Sequence, residues 1–134
     1  MTYAGLTVAY WTVIVVALLP IGCAVLAKWG MAGRPPKDGG FDNHDPRAWL
    51  ARQGGWRARA NAAQANCFEA MPFYIGAVII AHQHGAFQMR LDLLALLYVL
   101  LRLTYILFYL ADMATLRSTA WTLALVINIA ILFI

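Results

Sequence analysis

The sequence predicts an all-α integral membrane protein, a bundle of four transmembrane helices forming one domain over residues 1–134, and three observations carry that expectation. The first is composition: 63% of the 134 residues are hydrophobic and 12% are charged, with a mean hydropathy of +0.68. A water-soluble fold of this size cannot hide that much apolar surface, so the bilayer is the natural solvent. The second is that apolar runs of membrane-crossing length recur along the chain. The third is that the basic residues gather in one loop, which reads as membrane topology; the net charge of +4 forms no stripe with interleaved aromatics, which excludes a nucleic-acid partner.

The elements follow in order. From Met1 to Ala27 there is no charged side chain, and a helix over about residues 3–28, rising about 1.5 Å per residue, crosses a hydrocarbon core about 30 Å thick. Pro20 is the place for a kink in it. The absence of a basic segment before this run argues against a secretory signal. Residues 28–59 hold seven Lys/Arg against three Asp, and the loop 29–55 contains one short helix, with Asp45 as N-cap, Pro46 at the first helical position and Gly54 and Gly55 as its stop. Further spans are expected at about 56–82, 91–111 and 117–134. Loops one and three carry the Lys/Arg excess, seven residues plus Arg117 against Arg90 alone in loop two. The positive-inside bias therefore places the long loop in the cytoplasm and both termini outside.

Deep in these spans the charged residues are Glu69 and Arg102, and each costs roughly 2.5 to 3.5 kcal/mol or more if it faces lipid. Measured from the turn between their helices they lie at similar depth, so an ion pair between spans two and three is the simplest expectation. Arg59, Asn66 and Glu69 fall on one face of span two, and Arg102, Tyr105 and Tyr109 on one face of span three. Both stripes lead toward Arg117 and Ser118 at the start of span four. Together they predict a polar funnel open to the cytoplasm, suited to a small, polar, negatively charged ligand, with access for lipid from the side. Asn61 and Gln64 point to the opposite face, where they read as glue between helices. Cys23 and Cys67 read as small buried hydrophobes, and His44, His82 and His84 as solvated loop residues, too scattered for a metal site. A Glu/Arg network of this kind also serves a purely structural purpose in a non-catalytic membrane scaffold or lipid-binding module. A small multidrug transporter, with four spans and one membrane carboxylate, is a weaker fit because Arg102 stands at the depth of Glu69.

Two stretches are similar to the MAPEG family, the membrane-associated proteins of eicosanoid and glutathione metabolism. "RARANAAQANCFEAMPF" carries Asn66-x-x-Glu69 ahead of Pro72 and Phe73, and "RLTYILFYLADMATLRSTAW" carries Arg102, Tyr105, Tyr109, Arg117 and Ser118 in the family's order. The resemblance, to a bacterial-type member of the inner membrane, implies a homotrimer of four-helix subunits that binds glutathione between neighbours near the cytoplasmic side. It implies that Arg59, Asn66, Glu69, Arg102, Tyr105 and Tyr109 hold the tripeptide. It further implies that Arg117 favours the thiolate, with Ser118 and Tyr109 beside it, for attack on a lipophilic small molecule. Ala62, Gln64 and Ala65 stand where glutathione-binding members commonly carry basic residues or a histidine.

Overall fold

The computed structural model describes residues 2–134. It opens with a two-stranded antiparallel hairpin, β1 (Thr2–Tyr3) and β2 (Leu6–Thr7). The long helices are α1 (Val8–Lys28), α3 (Gly55–Gln83), α4 (Gln88–Leu110) and α5 (Ala114–Ile131), with the short helix α2 (Pro46–Ala51) in the loop between α1 and α3. The first helix starts at Val8 and not near residue 3, because Ala4 and Gly5 take positive φ values (50° and 79°) and turn the chain back. Thr7 then caps the helix, its Oγ1 accepting from Tyr10 N at 3.2 Å. The short helix is capped as its sequence predicts, by Asp45 accepting from Ala48 N.

Among the described residues α1, α4 and α5 are long and apolar enough to cross a membrane. The 29-residue α3 is long enough but less apolar, since its first half carries Arg57, Arg59, Asn61, Gln64, Asn66 and Glu69.

Both helical hairpins close in the same way. At the end of α3, Gly85 (φ 73°) is left-handed, its N–H reaching His82 O while Ala86 N reaches Ala81 O. At the end of α4, Asp112 (φ 60°) plays that part, with Asp112 N on Tyr109 O and Met113 N on Phe108 O. This pair of bonds satisfies carbonyls that a helix end leaves open. It also fixes where the chain turns, and hence which residues of α3, α4 and α5 share a depth. The fourth long helix consequently begins at Ala114, one turn before Arg117, which stands inside the helix instead of at its first residue.

Small side chains bring the helices close. Ala9, Ala63, Ala77 and Ala95 are fully or almost fully buried, and α1 lies along α3 while α4 lies along α5. On one side of the bundle Tyr74 and Tyr98 stack at 4.0 Å, nearly parallel. Tyr74 OH donates to Thr12 Oγ1 at 2.6 Å, whose own proton goes to Ala9 O. The buried Asp92 ties α4 to the start of α1 by accepting from Ala9 N, and it also accepts from Gln88 Nε2. At the other end Trp49 and Leu50 of α2 bury against Ala27 and Ala60, anchoring the long loop. Arg57 Nη1 completes this end by donating to Ala27 O near the end of α1.

Histidines and cysteines divide differently from the sequence expectation. His82 is not a solvated loop residue: it stacks on Tyr10 at 4.0 Å and hydrogen-bonds Thr7 Oγ1 and Val78 O. Cys23 and Cys67 are free and buried, as expected, and no cluster of metal-ligating side chains occurs among the described residues.

Two glycines give a test with opposite signs. Gly85→Ala forces a Cβ into a left-handed residue that nothing else crowds, and is expected to cost about 1–2 kcal/mol. Gly22→Ala lies inside α1 with open space around it, and is expected to gain about 0.5–1 kcal/mol. Thermal unfolding in detergent measures both; shifts of the same sign would contradict the turn geometry.

Candidate ligand-binding site

The site begins with Arg102. It sits on α4 with only 2% of its surface exposed, and a guanidinium in that position needs acceptors. The expected ion pair with Glu69 is not what supplies them. Arg102 Nη2 donates to Asn66 Oδ1 at 3.0 Å and to Cys67 Sγ at 3.4 Å, and Asn66 Nδ2 donates onward to Glu69 Oε2 at 3.4 Å. The carboxylate is thus coupled to the arginine through an amide. Glu69 itself is exposed at the edge of the single chain, one helical turn beyond Asn66. The flat face of Arg102 lies 4.5 Å from the ring of Tyr105.

Around this relay lies a recess of about 180 Å³ lined by Asn66, Glu69, Phe73, Tyr98, Arg102, Trp121 and Asn128, together with Ala70, Ala124 and Leu125. A second, of about 410 Å³, is lined by Tyr105, Tyr109, Arg117, Ser118, Trp121 and Thr122. Trp121 belongs to both, so the two adjoin along α5. Arg117 stacks on Tyr109 at 4.4 Å, and Tyr109 meets Tyr105 edge to face at 5.6 Å. From Arg117 to Asn128 the polar column covers about 16 Å of helix at 1.5 Å per residue.

The two sequence stripes therefore converge for Asn66, Glu69, Arg102, Tyr105, Tyr109, Arg117 and Ser118. Arg59 stands apart, lining neither recess: its Nε donates to Leu110 O at 3.1 Å, across the C-terminal turn of α4. Helical-wheel geometry placed it on the Asn66 face, but it lies two turns nearer the loop and meets an open carbonyl there. Asn61 and Gln64 line a separate groove with Arg47, Leu50 and Phe68, where Gln64 Oε1 is buried without a hydrogen-bond partner.

Three contributors had little sequence signal. Cys67 looked like an ordinary small hydrophobe until its Arg102 contact was visible. Trp121 and Asn128 lie in α5 beyond Arg117 and Ser118, at the ends of a stretch whose other polar side chain is Thr122. The only clue to Asn128 was its chemistry, an amide placed well inside a span.

Apolar helices of membrane-spanning length and a polar recess set between them define a helical membrane protein with a built cleft. The MAPEG family model matches residues 8–134, nearly the whole chain, and the chain belongs to that family. No curated protein and no solved structure gives a significant match.

The relay predicts unequal losses. Asn66→Leu removes the amide that holds Arg102 and should cost about 1–3 kcal/mol of stability. Glu69→Gln, at an exposed position, should cost within about 0.5 kcal/mol. Chemical or thermal unfolding of the detergent-solubilised variants compares them, and equal losses would mean that Glu69 holds the guanidinium directly.

Proposed function

We propose that the protein is a membrane-bound transferase or peroxidase that uses glutathione, or a related thiol, against a lipophilic electrophile. The observation that carries this reading is the second guanidinium: Arg117, stacked on Tyr109 and beside Ser118, lines a recess that adjoins the Arg102 recess at Trp121. A peptide thiol has carboxylates at its ends and a sulfur between them. Arg102, Asn66 and Glu69 bind one end, with Tyr105 packed against the Arg102 guanidinium. Arg117 lies farther along the column, at the sulfur. Arg59, with two NH₂ groups beyond the Nε–H that caps Leu110, faces the remaining carboxylate at the mouth.

The chemistry is that of an activated nucleophile. A cation beside the sulfur favours loss of the S–H proton to water and holds the thiolate. In the transferase reaction the thiolate attacks an electrophilic carbon such as that of an epoxide, the ring C–O bond breaks, and Tyr109 or Ser118 donates a hydrogen bond to the oxygen that takes the electron pair and is then protonated by water. With a hydroperoxide, the thiolate takes the terminal oxygen, the alkoxide leaves as an alcohol after protonation, and a second thiol then yields the disulfide and water. Lipophilic substrates arrive through the bilayer, which the exposed apolar sides of α1, α4 and α5 contact.

In this reading α3 is the fourth span, the long basic loop is cytoplasmic, both termini are outside, and the membrane is a bacterial inner membrane. The exposed Glu69 at the edge of the recess supports assembly as a homotrimer, in which a neighbour closes the open side. A second reading, a non-catalytic trimeric scaffold or lipid-binding protein, is favoured by Arg57 and Arg59, both of which donate to carbonyls in the last turns of helices.

Arg117→Ala separates the two. For the enzyme, turnover with reduced glutathione and a model electrophile should fall about 100-fold or more, while the thiol Kd changes by less than about threefold. Equal losses in kcat and affinity would make Arg117 a binding group only, and the absence of turnover in the wild type would leave the scaffold reading.

A further inference from the structure

Cys23 of α1 and Cys67 of α3 are the chain's two cysteines, and the bundle brings them together. They pack in one cluster with Ala63, Tyr105, Ile106 and Ala120, each 2% exposed. Both are free, and the two thiols lie within hydrogen-bonding reach of each other. A single buried thiol is an inert hydrophobe. Two in contact can give up two electrons and two protons and close to a disulfide, which requires only that their sulfurs meet.

The surroundings of the two sulfurs differ in a way that assigns them separate parts. Cys67 faces the polar side, where Arg102 Nη2 donates to its Sγ at 3.4 Å. A cation donating to a sulfur supports the negative charge that the sulfur carries when it attacks. Cys23 faces the other way and lines a groove of about 710 Å³ between α1 and α4, with Leu19, Gly22, Leu26, Leu103 and Ile106 around it. The wall of that groove is aliphatic apart from Cys23 and Trp29, and its rim residues Leu18, Ile21 and Leu107 are exposed on the apolar flank of the bundle. What enters there comes from the acyl-chain region of the bilayer, and the reactive group it meets is the Cys23 thiol. The oxidant of matching chemistry is a hydroperoxide carried on an acyl chain.

We infer that Cys23 and Cys67 form an internal dithiol that reduces a lipid hydroperoxide and closes to a disulfide tying α1 to α3. The Cys23 sulfur takes the terminal oxygen as the O–O bond breaks, and the alkoxide leaves as an alcohol with the thiol proton, so that Cys23 becomes a sulfenic acid. Cys67 then attacks the Cys23 sulfur. The S–O bond breaks, and the hydroxide departs as water with the Cys67 proton. Two electrons and two protons pass from the dithiol to the peroxide. Arg102 positions Cys67 for the second step. This reaction needs no bound thiol and stands apart from the glutathione reading.

The test exposes the reduced full chain in detergent, without glutathione, to linoleate hydroperoxide and in parallel to hydrogen peroxide. Free thiols are counted by maleimide labelling and intact mass. With linoleate hydroperoxide the folded wild type should lose both thiols together as one alcohol forms, with no disulfide-linked dimer. Cys67→Ser should stop at a sulfenic acid on Cys23 that dimedone traps, whereas Cys23→Ser should leave Cys67 reduced over the same time. Gly22→Leu adds a side chain to the groove where nothing crowds it. It should slow the lipid hydroperoxide reaction about tenfold, the loss expected from apolar burial worth about two methylenes, and leave the hydrogen peroxide reaction unchanged. Thiols that survive excess lipid hydroperoxide in the wild type overturn the inference without reference to any variant. Dimedone trapping on Cys67, disulfides formed between chains, or an undiminished rate in Gly22→Leu overturn it as well.

Discussion

A guanidinium enclosed by helices is the constraint around which the rest of this structure is arranged. Arg102 cannot be buried without acceptors, and α3 supplies them from adjacent residues, Asn66 and Cys67. That requirement sets the rotation of α3 about its axis and its depth against α4. A slide by one turn that brought Ala62 and Ala63 opposite the guanidinium would leave the charge without acceptors, at a cost of several kcal/mol. Tyr105 covers one face of the guanidinium, and the stacked pair Tyr74 and Tyr98 packs the level one turn away.

The turns that join the helices make this register reachable. Gly85 and Asp112 end their helices with the same paired hydrogen bonds, so α4 and α5 start at defined residues. Because α5 is antiparallel to α4, the same geometry brings Arg117 next to Tyr109, and Trp121 and Asn128 to the Arg102 recess. The lower hydropathy of α3 has the same origin. Among its polar residues Asn66 is an acceptor for Arg102, and Arg57 and Arg59 donate to carbonyls at the ends of α1 and α4.

Much of this was legible from residue order. Charge-free runs located the apolar helices, Asp45 and Pro46 located the short one, and the spacing of Asn66, Glu69, Arg102, Tyr105 and Tyr109 located the recess. What could not be read was which member of a stripe meets which partner. Asn66 and Glu69 share a face of α3, so a helical wheel cannot decide whether the amide or the carboxylate contacts Arg102; packing decides it, and the amide is nearer. Arg59 shares that face too, but an open carbonyl at Leu110 captures it first. The hairpin before α1 was hidden because its residues, like those of the helix that follows, carry no charge. Gln64 and Asn128 were legible only as polar residues in apolar surroundings, since whether a buried amide has a partner is a property of the fold and not of the sequence.

The central claim is that Arg102 and its relay are poised for a thiol ligand as well as for holding α3 to α4. The most direct measurement is thermal unfolding of the detergent-purified protein with increasing reduced glutathione, alongside S-methyl glutathione and an unrelated dicarboxylate. Binding to the folded state must raise the midpoint by mass action. The account predicts a rise with millimolar glutathione that the dicarboxylate does not reproduce and that Arg102→Ala abolishes. A midpoint that stays constant up to several millimolar glutathione, or that rises equally with the dicarboxylate, would contradict it and leave the buried arginine as a structural group.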